Sequence, residues 1–242
     1  MNPQIDKKLL WRLFWVKLFD RCCRLWPWRE LAKVLREAGE TGNSEFFFIQ
    51  IGANDGVIYD PIFSSVKRYG WRGILVEPVP HYFQKLKQNY AANTNLIFEN
   101  IAISSEAEGA KDFYRIGEGY DFLPQWCHGL GTFHREVLLT HRWAIPNLED
   151  YIVREKVHCI AWHTLLQRHH VETVNLLVID TEGHDHIILQ QIDFARLKPR
   201  ILIYEHQYIE AAERQSCETL LKAHGYRISK HLGNTLARLH VG

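Results

Sequence analysis

The run Phe46-Phe47-Phe48-Ile49-Gln50-Ile51 leads directly into Gly52-Ala53-Asn54-Asp55-Gly56. The first part has the length and the aromatic and β-branched content of a buried strand. The second part is a turn bounded by glycines, which lack Cβ and reach φ > 0, with Asn54 and Asp55 tolerant of turn geometry. Residues 58–69 then predict a helix, with Ile62, Phe63 and Val66 on one face. Strand, glycine turn and helix form the unit that holds a nucleoside-containing ligand at the carboxyl edge of a parallel sheet. A second apolar strand, Gly73-Ile74-Leu75-Val76, ends in Glu77-Pro78. A carboxylate about 20 residues beyond such a turn is placed to accept hydrogen bonds from ribose hydroxyls.

The glycine spacing narrows the ligand. It is G-x-x-x-G, neither the G-x-G-x-x-G of dinucleotide folds nor a P-loop with G-K-[ST]. Those motifs aim helix amides at phosphates. S-adenosylmethionine has no phosphate, and it fits this turn and the Glu77 spacing better. A nicotinamide-dependent oxidoreductase is the rival enzyme, disfavoured by the spacing. A non-catalytic cofactor-binding module, or scaffold in glycan assembly, is the rival from another class.

The 242 residues fit one α/β domain over 43–242 with an N-terminal helical extension over 1–42. A net charge of +1 gives no electrostatic case for nucleic acid. Five cysteines without a CxxC pair point to a reducing, cytoplasmic setting and against a zinc site. No apolar run is long enough to span a bilayer, and Arg12 and Lys17 interrupt the N-terminal apolar region as a signal peptide.

Residues 6–38 interleave Trp11, Trp15 and other apolar side chains with Lys7, Lys8, Arg12, Lys17, Arg21 and Arg24. This block reads either as a peripheral membrane contact, with Cys22-Cys23 as acylation sites, or as a helical cap on the domain or on a second copy in a homo-oligomer. The cap is the plainer reading. Pro27 divides two helices, the second over about 29–38 and ending near Gly39 or Gly42.

Further on, residues 80–91 predict a helix and Asn95–Phe98 a third strand, followed by Asn100-Ile101-Ala102-Ile103. Residues 111–116 predict a strand. The glycine-rich loop after it has the character of a lid or substrate wall. Residues 135–155 predict one or two helices around Pro146, and 157–161 a short strand. Val174-Asn175-Leu176-Leu177-Val178-Ile179 is a continuous apolar strand of the kind buried on both faces, ending Asp180-Thr181-Glu182-Gly183. A strand over 200–204 ends in Glu205-His206, a helix covers about 209–224, and a terminal strand pair turns at Gly233-Asn234.

The ordered set Ile51–Gly56, Val76-Glu77-Pro78, Asn100-Ile101-Ala102, Ile179–Gly183 and Tyr204-Glu205 resembles the FkbM family of S-adenosylmethionine-dependent methyltransferases. The resemblance spans about residues 46–240 and leaves out the block before residue 42. It implies a class I methyltransferase (Rossmann-like) fold: seven strands, mostly parallel, with an antiparallel C-terminal hairpin. It also implies O-methylation of a hydroxyl on a sugar, glycan or natural product. Asp-Thr-Glu-Gly stands here where the family often has Asp-Val-Glu-Gly.

The cofactor-binding candidates are Gly52, Asn54, Asp55, Gly56, Glu77, Asn100, for the adenine edge, and Asp180. A hydroxyl is a poor nucleophile, so a base or a metal belongs at its oxygen. Asp180 and His206 are the candidate bases, with Glu182 beside them and His134 in reserve. Neighbouring carboxylates are expected to push His206 above its ordinary pKa. No metal ligand set is assigned, although Glu182 and Glu205 offer the oxygen ligands of a hard divalent cation. Asp180 also reads as a residue that positions the cofactor or caps the next helix.

Overall fold

The structure, a computed structural model, describes residues 28–41, 45–105, 108–120 and 122–240. The strands are β1 (Phe47–Ile51), β2 (Arg72–Val76), β3 (Leu96–Glu99), β4 (Ala102–Ile103), β5 (Gly109–Ile116), β6 (Gly131–Thr132), β7 (Ile152–Ile160), β8 (Leu176–Ile179), β9 (Ile201–Glu205), β10 (Tyr226–His231) and β11 (Asn234–Leu239). The α-helices are α1 (Trp28–Thr41), α2 (Phe63–Tyr69), α3 (Pro80–Asn89), α4 (Arg135–Leu139), α5 (Trp162–Arg168), α6 (Asp185–Gln190) and α7 (Ala211–Ala223).

Seven strands form one sheet in the order β10-β11-β9-β8-β1-β2-β3, parallel from β3 to β9, with β11 and β10 antiparallel at the edge. This is the class I methyltransferase sheet. The apolar strands alternate between two cores. Ile49, Ile51, Leu177 and Ile179 pack on one face, and Phe48, Leu176 and Val178 on the other. The register aligns Ile51 with Val76 and with Ile179, and Ile179 with Tyr204. The carboxyl ends of β1, β2, β8 and β9 therefore share one edge. The chain leaves the β1-β2-β3 side and returns through β8 on the other side of β1, which makes a crevice at that edge.

A second sheet, β4-β7-β5-β6, lies between β3 and β8 in sequence. Residues 152–155, expected to close a helix, instead begin β7. The Arg154-Glu155-Lys156 triplet hides the strand, but each charge finds a partner across the ladder. Asp112 of β5 pairs with Lys156 at 2.8 Å and also with Arg154, while Arg115 pairs with Glu155 at 2.6 Å. Between β6 and β7 only α4 and two single 3₁₀ turns form.

One expected helix boundary holds, with α1 ending at Thr41 beside Gly42, and another moves. α1 runs through Gly39, whose missing side chain leaves room for the Tyr69 ring, and Leu31, Val34 and Leu35 enter the core. This part of the extension is a cap on the domain; residues 6–27 and the membrane reading attached to them lie outside the described residues. α2 begins at Phe63 rather than 58, because Asp60 accepts hydrogen bonds from the Ile62 and Phe63 amides. Among the described residues no helix is long and apolar enough to cross a membrane.

Candidate active site

A cavity of about 500 Å³ opens at the carboxyl edge, within the range of small-molecule sites. Its wall includes Gly52, Ala53 and Asn54 of the turn, Glu77 just past β2, Ile101 with Ala102 and Ile103 of β4, and Asp180, Glu182 and Glu205 from the ends of β8 and β9. The second sheet and its loops add Phe113, Trp126, Leu130, Phe133, His141 and Trp143.

The turn is held from below by the strands. Gly52 and Ala53 donate to the Val76 carbonyl at 3.0 Å. The Asn54 amide donates to Glu77 Oε2, and the Val79 amide to Glu77 Oε1, both at 2.8 Å. Glu77 thus ties the turn to its own strand end while lining the cavity, and each oxygen keeps a lone pair for a ligand hydroxyl. Burial pushes its carboxyl up to about 7. Beside it, Val79, Tyr82, Ile101 and Ala102 supply an apolar wall suited to a flat base. Glu77→Gln is expected to weaken S-adenosylhomocysteine binding by about 1–3 kcal/mol, the scale of charge-assisted hydrogen bonds. Calorimetry checks this, and unchanged affinity in a folded variant removes Glu77 from the ribose site.

Several expected ligands of the cofactor face elsewhere. Asp55 Oδ1 accepts from the Val57 and Ile58 amides, so it builds the loop, away from the cavity wall. Gly56, at φ 72°, clears space for Leu86 and Tyr90; a Cβ there would meet them at 2.5 and 2.6 Å. Asn100 donates to the Glu77 and Pro78 carbonyls at 2.8 and 3.0 Å, so its amide fixes the end of β2, and the neighbouring Ile101 and Ala102 reach the cavity instead. Gly52 does line the cavity, but a Cβ there would fall 1.8 Å from the Asp180 carbonyl, so the approach it permits is between two strands of the sheet.

The acid cluster forms as the strand ends predict. One carboxylate oxygen from each of Asp180, Glu182 and Glu205 lies within 4.8 Å of the others. Asp180 is open to the cavity interior but surrounded by protein, and burial plus the Asp185 charge push it up to about 7. Glu182 and Glu205 are raised well above the ordinary range, by burial first and then by their acidic neighbours. The Oε2 atoms of Glu182 and Glu205 are buried without a hydrogen-bond partner among the described residues. Three oxygen ligands in this arrangement suit a hard divalent cation.

His206 departs from expectation. Its side chain points away from the cluster, shares a hydrogen bond with Thr235 Oγ1 at 2.9 Å, and does not line the cavity. Its pKa is lowered rather than raised, by burial and then by Lys230 and Arg214. Successive strand residues face opposite sides, so with Glu205 in the cavity the next side chain leaves it. His134 precedes α4 and stacks near His184, also off the cavity wall.

Other residues of the site escaped the sequence. Asp185 is 0% exposed; its Oδ2 accepts from the Thr181 amide and hydroxyl, and its Oδ1 from the Glu205 amide. It therefore clamps the ends of β8 and β9 that present the acids. Tyr208 and His141 line the cavity and share a hydrogen bond of 2.9 Å, with burial holding His141 down to about 4. No local pattern marks them, since 67 residues separate the pair. Asp185 did carry a signal, an acid in the first turn of a helix directly after a strand end.

These raised carboxyls set a sign for stability. A group whose folded pKa lies above its unfolded value favours folding below that pKa and loses this contribution as pH rises through it. Glu77, at about 7 when folded, adds about 1 kcal/mol between pH 8 and 6.5, and the acid cluster acts in the same direction. The ligand-free protein should therefore melt a few degrees higher at pH 6.5 than at pH 8. His141 and His206, held neutral in the fold, act in the opposite direction, so a flat or opposite trend in thermal melts would show that the carboxyls do not outweigh them.

A methyltransferase FkbM domain model matches residues 50–228. The chain belongs to the FkbM methyltransferase family. The match begins at Gln50 in β1 and runs into β10, so it takes in the turn, Glu77 and the acid cluster. The family assigns S-adenosylmethionine-dependent methyl transfer and decides against the nicotinamide oxidoreductase. A search of curated proteins finds no match. Solved structures similar to the chain include a ribosomal protein L11 methylase from Lactobacillus delbrueckii subsp. bulgaricus, at 10% identity and TM-score 0.41, covering 87% of this chain and 80% of that one. An RNA methyltransferase from Salinibacter ruber in complex with S-adenosyl-L-homocysteine is similar at 10% identity and TM-score 0.40, with 87% and 90% covered. A fibrillarin/Nop5p complex is similar at 15% identity and TM-score 0.43, with 89% and 83% covered. Likenesses this distant say nothing about the acceptor.

The cavity fits the cofactor of the family. Asp60, Glu77, Asp180, Glu182 and Glu205 line it, and among the described lining residues there is no Lys or Arg. A wall of carboxylates without a cation suits a ligand that brings positive charge and no phosphate, as a sulfonium with an ammonium group does.

Proposed function

We propose that this FkbM-family methyltransferase methylates a hydroxyl of an uncharged acceptor, a sugar, glycan or natural product. The observation that carries the reading is the acid cluster at the end of a cavity free of Lys and Arg among its described lining residues. A nucleic-acid acceptor brings phosphates, which this wall would repel. An uncharged polyol meets no such repulsion, and Trp126, Phe133 and Trp143 offer flat faces to a ring.

When bound, S-adenosylmethionine supplies an electrophilic methyl group. The turn and Glu77 would hold the adenosine half, and the cluster lies beyond the turn at the ends of β8 and β9. Asp180 takes the acceptor hydroxyl proton; a carboxylate held near pKa 7 is a stronger base than an ordinary one and is still substantially ionised at neutral pH. Glu182 and Glu205 hold the shared charge, alone or around a divalent cation. Tyr208, hydrogen-bonded to neutral His141, closes the acceptor side.

The test is transfer of labelled methyl from S-adenosylmethionine to a panel of monosaccharides, oligosaccharides and polyols, with RNA and protein alongside. Alkali-stable methyl ethers on a hydroxylated acceptor are expected. Label appearing only in RNA or protein sinks the acceptor assignment, and binding without transfer to any of them returns the protein to a cofactor-binding module.

A further inference from the structure

Among the described residues, five large apolar side chains are more than a third exposed: Val57, Tyr59, Ile97, Trp143 and Leu232. Three of them, Tyr59, Trp143 and Leu232, also line the cavity, so they stand at its mouth. Trp143 and Leu232 are the most open, at 66% and 65%. The fold fixes both beside the acid cluster. Leu232 sits in the two-residue turn between β10 and β11, where Asn234 lies opposite Glu205 and the His206 amide donates to the Gly233 carbonyl at 2.7 Å. Trp143 ends the short 3₁₀ turn that carries His141, whose ring shares its hydrogen bond with Tyr208, just past Glu205. The leucine is also held in a costly backbone. It has φ 37°, at a turn position that hairpins give to Gly or Asn. A strained, exposed leucine at a cavity mouth implies an apolar group that covers it.

The covering molecule is one that enters the cavity. The cofactor belongs to the β1–β2 side, at the turn and Glu77. The acceptor places its hydroxyl at the Asp180 cluster, and a ring set against Trp126 and Phe133 leaves Trp143 and Leu232 to whatever follows the ring. Leu232 has no side-chain hydrogen bond to offer a sugar. Leu31 of α1 and Leu236 of β11 add aliphatic lining. Resting on the acceptor reading above, we propose that Trp143 and Leu232 form a dock for an aliphatic chain carried by the acceptor, whose hydroxylated head reaches the acid cluster. The acceptor is then an amphiphile, of the chemical class of an alkyl or acyl glycoside, and not a free sugar.

Methyl, butyl and octyl β-D-glucopyranosides, kept below the micelle concentration, are titrated calorimetrically into the full chain loaded with S-adenosylhomocysteine. Full burial is worth about fourfold in affinity per methylene. A chain covered on one side is expected to gain less, roughly 10–100-fold from methyl to octyl. Leu232→Gly and Trp143→Ser should each cut that gain to about threefold or less. Glycine accepts the positive φ, so Leu232→Gly should melt no lower than the wild type, which separates lost contact from lost fold. The same gain in all three proteins, or no binding of octyl glucoside, overturns the dock. Phosphatidylcholine vesicles and sedimentation equilibrium read the other occupants. Pelleting with vesicles, or a dimer, that both variants lose while the glucoside series stays flat gives the mouth to a membrane or to a second copy, and overturns the dock as well. The titration needs no methyl transfer, so its failure is distinct from that of the acceptor reading. Transfer to free sugars and octyl glycosides alike, with a flat binding series, sinks the dock alone. Label appearing only in RNA or protein sinks both.

Discussion

Asp180→Asn should lower kcat by roughly 10²–10⁴, the range for loss of a general base, while changing cofactor affinity far less. The substitution keeps size and shape, so the Asp180 carbonyl under Gly52 and the backbone bond from the Asp180 amide to the Ile51 carbonyl persist. What is lost is a basic oxygen facing the acceptor. In the wild type, the ionised form of Asp180 is the active one, so activity should rise as pH increases through about 7 and fall below it. The variant should lose that limb of the profile. A divalent cation in the cluster changes the pattern in a readable way. It would hold Asp180, Glu182 and Glu205 ionised to lower pH, and move the limb down with them. EDTA would then abolish turnover and Mg²⁺ or Mn²⁺ restore it, with Glu182→Gln and Glu205→Gln raising the metal concentration required. Full activity in Asp180→Asn would remove it as the base, and full activity after EDTA would remove the cation.

Parts of this site could be read from the chain because their signals are local. β1, β2, β8 and β9 are continuous apolar runs, and each ends in a turn or an acid, so the order of strand ends and the convergence of Asp180, Glu182 and Glu205 follow from the doubly wound pattern. β7 could not be read in the same way. Its Arg154-Glu155-Lys156 segment looks like a helix surface until Asp112 and Arg115 are set opposite it. His206 was misplaced by counting it with Glu205, when the alternation of the strand separates them. Asp55, Gly56 and Asn100 have the residue types of a ligand turn, and they serve its construction instead. Gln50 was the overlooked signal. A lone amide in an apolar strand requires a buried partner, and here that partner is Asp60, ten residues on and lining the same cavity. Tyr208 with His141 had no such mark, because only the tertiary fold brings them together.

Gly52→Val is expected to remove most of the folded protein. The sequence invites a different outcome, a folded chain that no longer binds, because glycine turns let backbone approach ligands. The packing argues otherwise. Gly52 has φ 80°, and a Cβ there would lie 1.8 Å from the Asp180 carbonyl oxygen and 2.9 Å from its carbon. Both are backbone atoms of a central strand end, so no side chain can turn aside. Left-handed backbone for a non-glycine residue costs about 1–3 kcal/mol, and most for a β-branched one. Overpacking adds about 1–3 kcal/mol or more. The β1–β8 edge must also open, which strains the bond from the Asp180 amide to Ile51. Together these reach the lower end of the net stability of an ordinary domain, about 5–15 kcal/mol. Gly56→Ala is the useful contrast. Its Cβ would meet the Leu86 methyl and the Tyr90 ring, side-chain atoms that can move, so that variant should fold with a lower melting temperature. Thermal melts and soluble yield of the two variants decide the matter. If Gly52→Val melts like the wild type and only fails to bind S-adenosylhomocysteine, then the glycine makes room for the ligand; if it fails to fold while Gly56→Ala survives, the close contact of β1 with β8 is what requires it.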